Sequence, residues 1–144
     1  MTLADDRVEL IHATCVVVKG MGVLLRGPSG AGKSDLALRL IDRGATLIGD
    51  DYVQARGMNG QLQVRVPETI AGLIEVRGVG LCPMPHRPEA IVGLVIDLGE
   101  EDRMPEWARS PIAGVSLPVF RLDPRPASAP IKVELLVTHI KERL

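Results

Sequence analysis

The chain has 144 residues, enough for one domain with a core and too few for two. Apolar residues make up 46% and charged residues 24%, and the formal net charge is −1, so nothing in the bulk balance favours a polyanion such as nucleic acid. Tyr52, Trp107 and Phe120 are the only ring residues of the Phe, Trp and Tyr class, which excludes rows of stacked aromatics for single-stranded nucleic acid and leaves Val, Leu, Ile and Ala to build the core.

Met1 to Glu9 carries Asp5, Asp6 and Glu9 and lacks the apolar stretch of a signal peptide. Thr14 to Val18 and Val23 to Leu25 are apolar runs separated by Lys19-Gly20-Met21-Gly22, the pattern of a hairpin whose second strand feeds a glycine-rich loop. From Lys33 the spacing of Leu36, Leu40 and Ile41 predicts a helix, with Arg43 in its last turn and Gly44 as its stop. Ala45 to Gly49 reads as a short buried strand ending at Asp50-Asp51. Tyr52 to Arg56 and Gln61 to Val66 flank Gly57-Met58-Asn59-Gly60 as a second hairpin. Ile70 to Val76 is expected to be extended. Ile91 to Leu98 is apolar enough for a strand buried on both faces. Six prolines between Gly99 and Pro130 predict mostly loop or edge structure there. The last run, Ile131 to Ile140, could be strand or helix; Val133, Leu135 and Val137 alternate with polar Lys132 and Glu134, which favours a strand.

These elements define an α/β domain, richer in strand than in helix, whose hairpins require a mixed sheet. Neither long apolar stretch, Val16 to Leu25 or Ile91 to Leu98, is continuous and long enough to span a bilayer, so no membrane association is expected. Cys15 and Cys82 fit no metal spacing, sit in apolar surroundings and read as buried thiols rather than a disulfide, in a protein of the reducing cytoplasm.

Gly27-Pro28-Ser29-Gly30-Ala31-Gly32-Lys33-Ser34 is a complete G-x-x-x-x-G-K-[ST] phosphate-binding loop (P-loop). Its glycines let successive backbone N–H groups turn inward around an anion, and the helix that follows points its positive end at the same place. Lys33 is suited to the β- and γ-phosphates of a nucleotide, and the Ser34 hydroxyl to Mg²⁺. A chance glycine-rich turn would lack the apolar strand before it and the amphipathic helix after it.

Four further features bear on the destination of the phosphoryl group. Asp50 and Asp51 end a strand where this class of fold gathers its ligands; one acid could hold Mg²⁺ through Ser34 or water and the other accept a hydroxyl proton. A solvated acidic turn opening the hairpin at Tyr52 is the plainer alternative. His12 lies just before the first strand and by itself is an ordinary surface or packed histidine. Glu75-Val76-Arg77-Gly78-Val79-Gly80 combines an acid, a base and two glycines, as either a ligand-approach segment or a strand-to-loop corner. Arg103, after Asp102, is either an arginine finger or a solvated loop charge.

Together, His12, Gly27 to Ser34, Arg43-Gly44, Leu47-Ile48-Gly49-Asp50-Asp51 and Glu75 to Gly80 resemble the catalytic domain of the bacterial HPr kinase/phosphorylase family. The likeness covers about the first 80 residues well and the rest loosely. The short step from the loop to the paired acids is similar to this family and to phosphoenolpyruvate carboxykinase, its structural relative. The resemblance implies an ATP-dependent protein-serine kinase acting on HPr or an HPr-like phosphocarrier, with phosphorolysis by inorganic phosphate as the reverse reaction. It implies Lys33 on the donor phosphates, Ser34 and Glu75 on Mg²⁺, and the Asp50-Asp51 pair as the group taking the serine proton. His12 and Arg103 match positions that act in the site, and a homo-oligomer, a hexamer in the family, is expected. The expected organisation is a single catalytic domain over residues 1–144, without the N-terminal domain of longer members. Leu122 to Ala127 does not match the family's glycine-arginine-asparagine segment linked to phosphorolysis, so kinase activity is the better supported direction. Alternatives are a small-molecule P-loop kinase and a nucleotide-binding regulatory module without catalysis.

Overall fold

The computed structural model describes residues 8–101, 103 and 107–143. Among these residues, ten strands and two α-helices follow in chain order. They are β1 (Val8–Val18), β2 (Met21–Arg26), α1 (Lys33–Asp42), β3 (Thr46–Gly49), β4 (Tyr52–Met58), β5 (Gln61–Arg65), β6 (Leu73–Val76), β7 (Gly80–Pro83), β8 (Glu89–Leu98), β9 (Ala108–Ile112), β10 (Val115–Leu122) and α2 (Ala129–Arg143). The fold is a mixed α/β arrangement with a mixed sheet. β1 pairs antiparallel with β2 and, along its other edge, with β3 and β4. β2 and β10 both run parallel to β8, while β5 runs antiparallel to it. Because β4 also pairs with β5, the strands β1, β2, β8, β5 and β4 close into a ring at one end of the sheet. Beyond β8 the sheet continues through β10 to the edge strand β9, and at the end of β2 the chain leaves for α1.

Strand alternation assigns side chains to two cores. Val16, Val23, Leu25, Leu94 and Ile96 face α1 and α2, where they meet Leu36, Leu40, Val133 and Val137. Cys15, Val17, Leu24 and Val95 point the other way and pack with Val53, Leu62, Val64 and Leu117. Burial on both faces is why β1, β2 and β8 read as nearly continuous apolar runs. The β1–β2 turn is tighter than the sequence suggests: Lys19 and Gly20, both at positive φ, make a two-residue connection.

Three expectations need correction. The run Ile131 to Ile140 is helical, inside α2. Val133, Val137 and Ile140 are buried at spacings of four and three, whereas Leu135 and Ile131 of the supposed alternation are exposed. Pro130 in the first turn costs the helix nothing, because an N–H there has no intrahelical partner. Second, His12 lies within β1 rather than before the first strand. The segment from Gly99 to Pro130 is mostly loop or edge, as expected, with β9 an edge strand. Pro111 lies on that edge, and Pro118 sits just before Val119, the first residue of β10 paired to β8, so neither breaks the β8 ladder. Third, Ile70 closes a 3-10 turn (Glu68–Ile70), and extension begins at Leu73. No helix among the described residues is long and apolar enough to cross a membrane.

Candidate active site

The glycine-rich segment leaves β2 at Arg26 and enters α1 at Lys33. Arg26 donates two hydrogen bonds to Asp97, its partner at the end of β8, at 2.7 and 3.0 Å. This bidentate pair ties the base of the loop to the central strand. Gly32 stands at φ 101°, a conformation that favours glycine, and no side chain caps the helix it opens. The N–H groups of that first turn are therefore presented outward with the positive end of the helix behind them. Lys33 is buried; its ammonium donates to the carbonyls of Gly27 at 2.6 Å and Pro28 at 3.1 Å, which folds the lysine along its own loop.

Asp50, 7% exposed, lies beneath the loop in the corner after β3. Its Oδ1 accepts hydrogen bonds from the hydroxyls of Ser34 at 2.7 Å and Thr14 at 2.9 Å, and its Oδ2 accepts from the backbone N–H of Glu75 at 3.2 Å. One carboxylate thus joins α1, β1 and β6. Because Ser34 spends its hydrogen on Asp50, both lone pairs of its oxygen remain available to a cation.

Asp51 has the opposite surroundings. Its side chain is 64% exposed, and its Oδ1 lies 2.9 Å from His12 Nε2. The His12 ring stacks on Tyr52 with centroids 4.9 Å apart and planes 25° apart. Asp51 itself sits at φ 74°, in the left-handed region that side chains other than glycine rarely adopt. Thr14 accepts a hydrogen bond from the Asp51 N–H at 3.4 Å, helping to hold that turn. Left-handed backbone outside glycine persists where surrounding contacts over-determine it, and it clusters at functional sites.

His12, Lys33, Ser34, Asp50 and Asp51 therefore gather around the loop, joined by Glu75 through its backbone; the Glu75 side chain is exposed on β6. Gly27, Pro28, Ser29, Gly30 and Ala31 form the intervening turn, closed by a hydrogen bond from Ala31 N–H to the Pro28 carbonyl. Arg103 is exposed in the loop after β8, without a hydrogen bond or ion pair among the described residues, and Asp102 lies outside them. Among the described residues no group of three His, Cys, Asp or Glu side chains could hold a metal by itself.

Sequence reasoning missed three contributors. Thr14, fully buried in the apolar run of β1, had one legible signal: a hydroxyl among valines needs a partner. Tyr52 and the Arg26–Asp97 pair left none, since each depends on strands being brought side by side. The Leu122 to Ala127 segment also lies beside the loop. Pro124 stands where a Cβ on Gly32 would reach, at 3.4 Å. Arg39 of α1 donates to the carbonyls of Pro124 and Pro126 and so fastens this segment to the helix. Within it, Arg125 binds Asp123 and holds that carboxyl down to about 2.

A mixed α/β sheet that gathers a glycine-rich loop, a lysine and an acid pair beyond the end of β2 defines the class. The chain belongs to the HPr serine kinase family, whose model, described as "HPr Serine kinase C-terminal domain", matches residues 2–87. The HPr kinase/phosphorylase of Clostridium beijerinckii is 46% identical over 71 residues, covering 49% of this chain and 24% of that protein. That of Clostridium tetani is 31% identical over 129 residues, covering 85% of this chain and 42% of that protein. The matched stretches thus cover less than half the length of each of these curated relatives. Among solved structures, the Hpr(Ser) kinase/phosphatase from Coxiella burnetii superposes with a TM-score of 0.83 at 29% identity, covering 94% of this chain and 97% of that one.

Proposed function

We propose that this chain is the catalytic domain of an ATP- and Mg²⁺-dependent kinase that phosphorylates a serine of HPr or of an HPr-like phosphocarrier. The observation that carries this reading is the division of labour between adjacent acids. Asp50 is buried and fully hydrogen-bonded to the Ser34 hydroxyl, whereas Asp51 is exposed, strained and paired with His12.

The residues fit the group they would hold. The uncapped start of α1 and the backbone of Gly30 to Gly32 suit the nucleotide's phosphates, and Lys33 needs only to release two loop carbonyls to reach them. Ser34 and Glu75 would hold Mg²⁺, which keeps part of its octahedral shell for phosphate oxygens and water and so needs no all-protein cage. The bound metal would neutralise charge developing between the β- and γ-phosphates.

In the forward direction the serine hydroxyl of the carrier attacks the terminal phosphorus. The new O–P bond forms as the bond to the ADP oxygen breaks, and the serine proton passes to the Asp51 carboxylate. His12 orients that carboxylate, and Tyr52 orients His12. In reverse, inorganic phosphate would attack phosphoserine to give pyrophosphate, and Asp51 would return the proton. Arg103 is proposed to stabilise charge on the transferred group. The P-loop and the early acid pair also support the likeness to the phosphoenolpyruvate carboxykinase nucleotide-binding fold. Residues 1–144 would act as one domain, assembled as a homo-oligomer, a hexamer by family resemblance. Free Cys15 and Cys82 suit a cytoplasmic setting.

The test is incubation with ATP, Mg²⁺ and purified HPr proteins, followed by mass spectrometry. Phosphate on one serine of a carrier is the expected result. Turnover of a small metabolite with no labelled carrier would replace this reading with that of a small-molecule kinase, and ATP binding without any transfer would replace it with that of a regulatory module.

A further inference from the structure

At the end of β2 and β8 remote from the phosphate loop lies a second cleft of about 680 Å³. β2 and β8 run parallel from this cleft to the loop: Gly22 pairs with Val92 beside the cleft, and Arg26 pairs with Asp97 at the loop. The volume falls in the range that holds a small organic molecule.

Its walls have a definite chemistry. Leu62, Val92, Leu117 and Ile140 are almost fully buried and form an apolar floor, while Trp107 and Ile91 are half exposed on the rim. Three cations border it: Arg109, Lys141 and Arg143. No carboxylate lines it among the described residues, in a chain where acids outnumber Lys and Arg 18 to 17. None of the three cations is matched by an acid there. Arg109 donates to the hydroxyl and carbonyl of Ser116, Lys141 to the carbonyl of Lys19, and Arg143 lies over the Trp107 ring at 3.9 Å from its centroid. Cations bonded only to neutral partners keep their full charge for an incoming anion.

We propose that this cleft is a binding site for an amphipathic organic anion, its apolar body on the Leu62–Val92–Ile140 floor and its phosphate or carboxylate against Arg109 and Lys141. The site is separate from the phosphate loop and does not depend on the kinase reading.

Trp107 is the chain's only tryptophan, so its emission reports on the cleft directly. The full chain is titrated with octyl phosphate below its micelle-forming concentration, with octanol and inorganic phosphate in parallel. The expected result is a saturable emission change with octyl phosphate, at least tenfold weaker binding in Lys141→Gln and in Arg109→Gln, and unchanged binding in Lys33→Ala. Circular dichroism checks that the variants are folded; if Arg109→Gln unfolds, Lys141→Gln alone decides. An absent or non-saturable response, an equal response to octanol, or loss of the response in Lys33→Ala would overturn the proposal. So would emission that follows protein concentration rather than probe, since a second copy of the chain would then be covering the cleft.

Discussion

The corner after β3 has a core side and a solvent side. On the core side Asp50 receives three hydrogen bonds from three elements and is almost out of contact with water. On the solvent side Asp51 has one side-chain partner, His12, an exposed carboxylate and a left-handed backbone. Both are aspartate, neighbours in sequence, and the backbone turn between them aims one carboxylate at the loop and the other at solvent, the contrast on which their proposed roles rest. Identity of residue type therefore says little about role; the number of donors and access to solvent say more.

Exchanging each side separately would break or sharpen this contrast. The largest effect is expected from Asp51→Asn, which removes the proposed proton acceptor: single-turnover transfer should fall about a thousandfold while nucleotide affinity stays unchanged. Next, Lys33→Ala should weaken nucleotide binding by roughly ten- to a hundredfold, the equivalent of about 1.5–3 kcal/mol for a hydrogen-bonded charge, as read by calorimetry. On the core side, Asp50→Asn turns an amide N–H toward the Glu75 N–H. The unsatisfied donor should cost about 2 kcal/mol and lower Tm by about 6 °C.

Cys15 lies opposite Gly49 in the β1–β3 pairing and so reports on the same corner. Burial pushes its thiol up to about 12, so at pH 7 to 9 the folded protein holds it as the unreactive neutral thiol, and alkylation must wait for opening. Labelling of Cys15 should be faster in Asp50→Asn than in the parent chain and unaltered in Asp51→Asn, while the less buried Cys82 reacts similarly in all three. The smallest effect is expected from His12→Ala, which leaves Asp51 in place but unoriented: about a tenfold loss of transfer, matching the loss of one hydrogen bond to a charge.

Much of this site was legible because its signals are local. The glycine spacing, the strand before it and the periodic Leu36 and Leu40 after it depend on neighbours in sequence, as does the step to Asp50-Asp51. Which acid takes which part was not legible, because their surroundings are set by Thr14 and Glu75, which arrive from other strands. In the later part of the chain the signals misled. Val133, Leu135 and Val137 mimic strand alternation because Leu135 happens to be apolar on the exposed face of α2. The family match, which stops at residue 87, divides the chain at nearly the same place.

The central claim is that Asp51 does the chemistry and Asp50 builds the place for it. Single-turnover phosphorylation of HPr, measured beside nucleotide binding and Mg²⁺ dependence in Asp50→Asn and Asp51→Asn, tests it most directly. The account predicts that Asp51→Asn binds nucleotide and metal as the parent does yet transfers about a thousandfold more slowly, whereas Asp50→Asn needs more Mg²⁺ and melts earlier. Transfer at the parent rate in Asp51→Asn, or the shifted Mg²⁺ dependence appearing there instead of in Asp50→Asn, would contradict it.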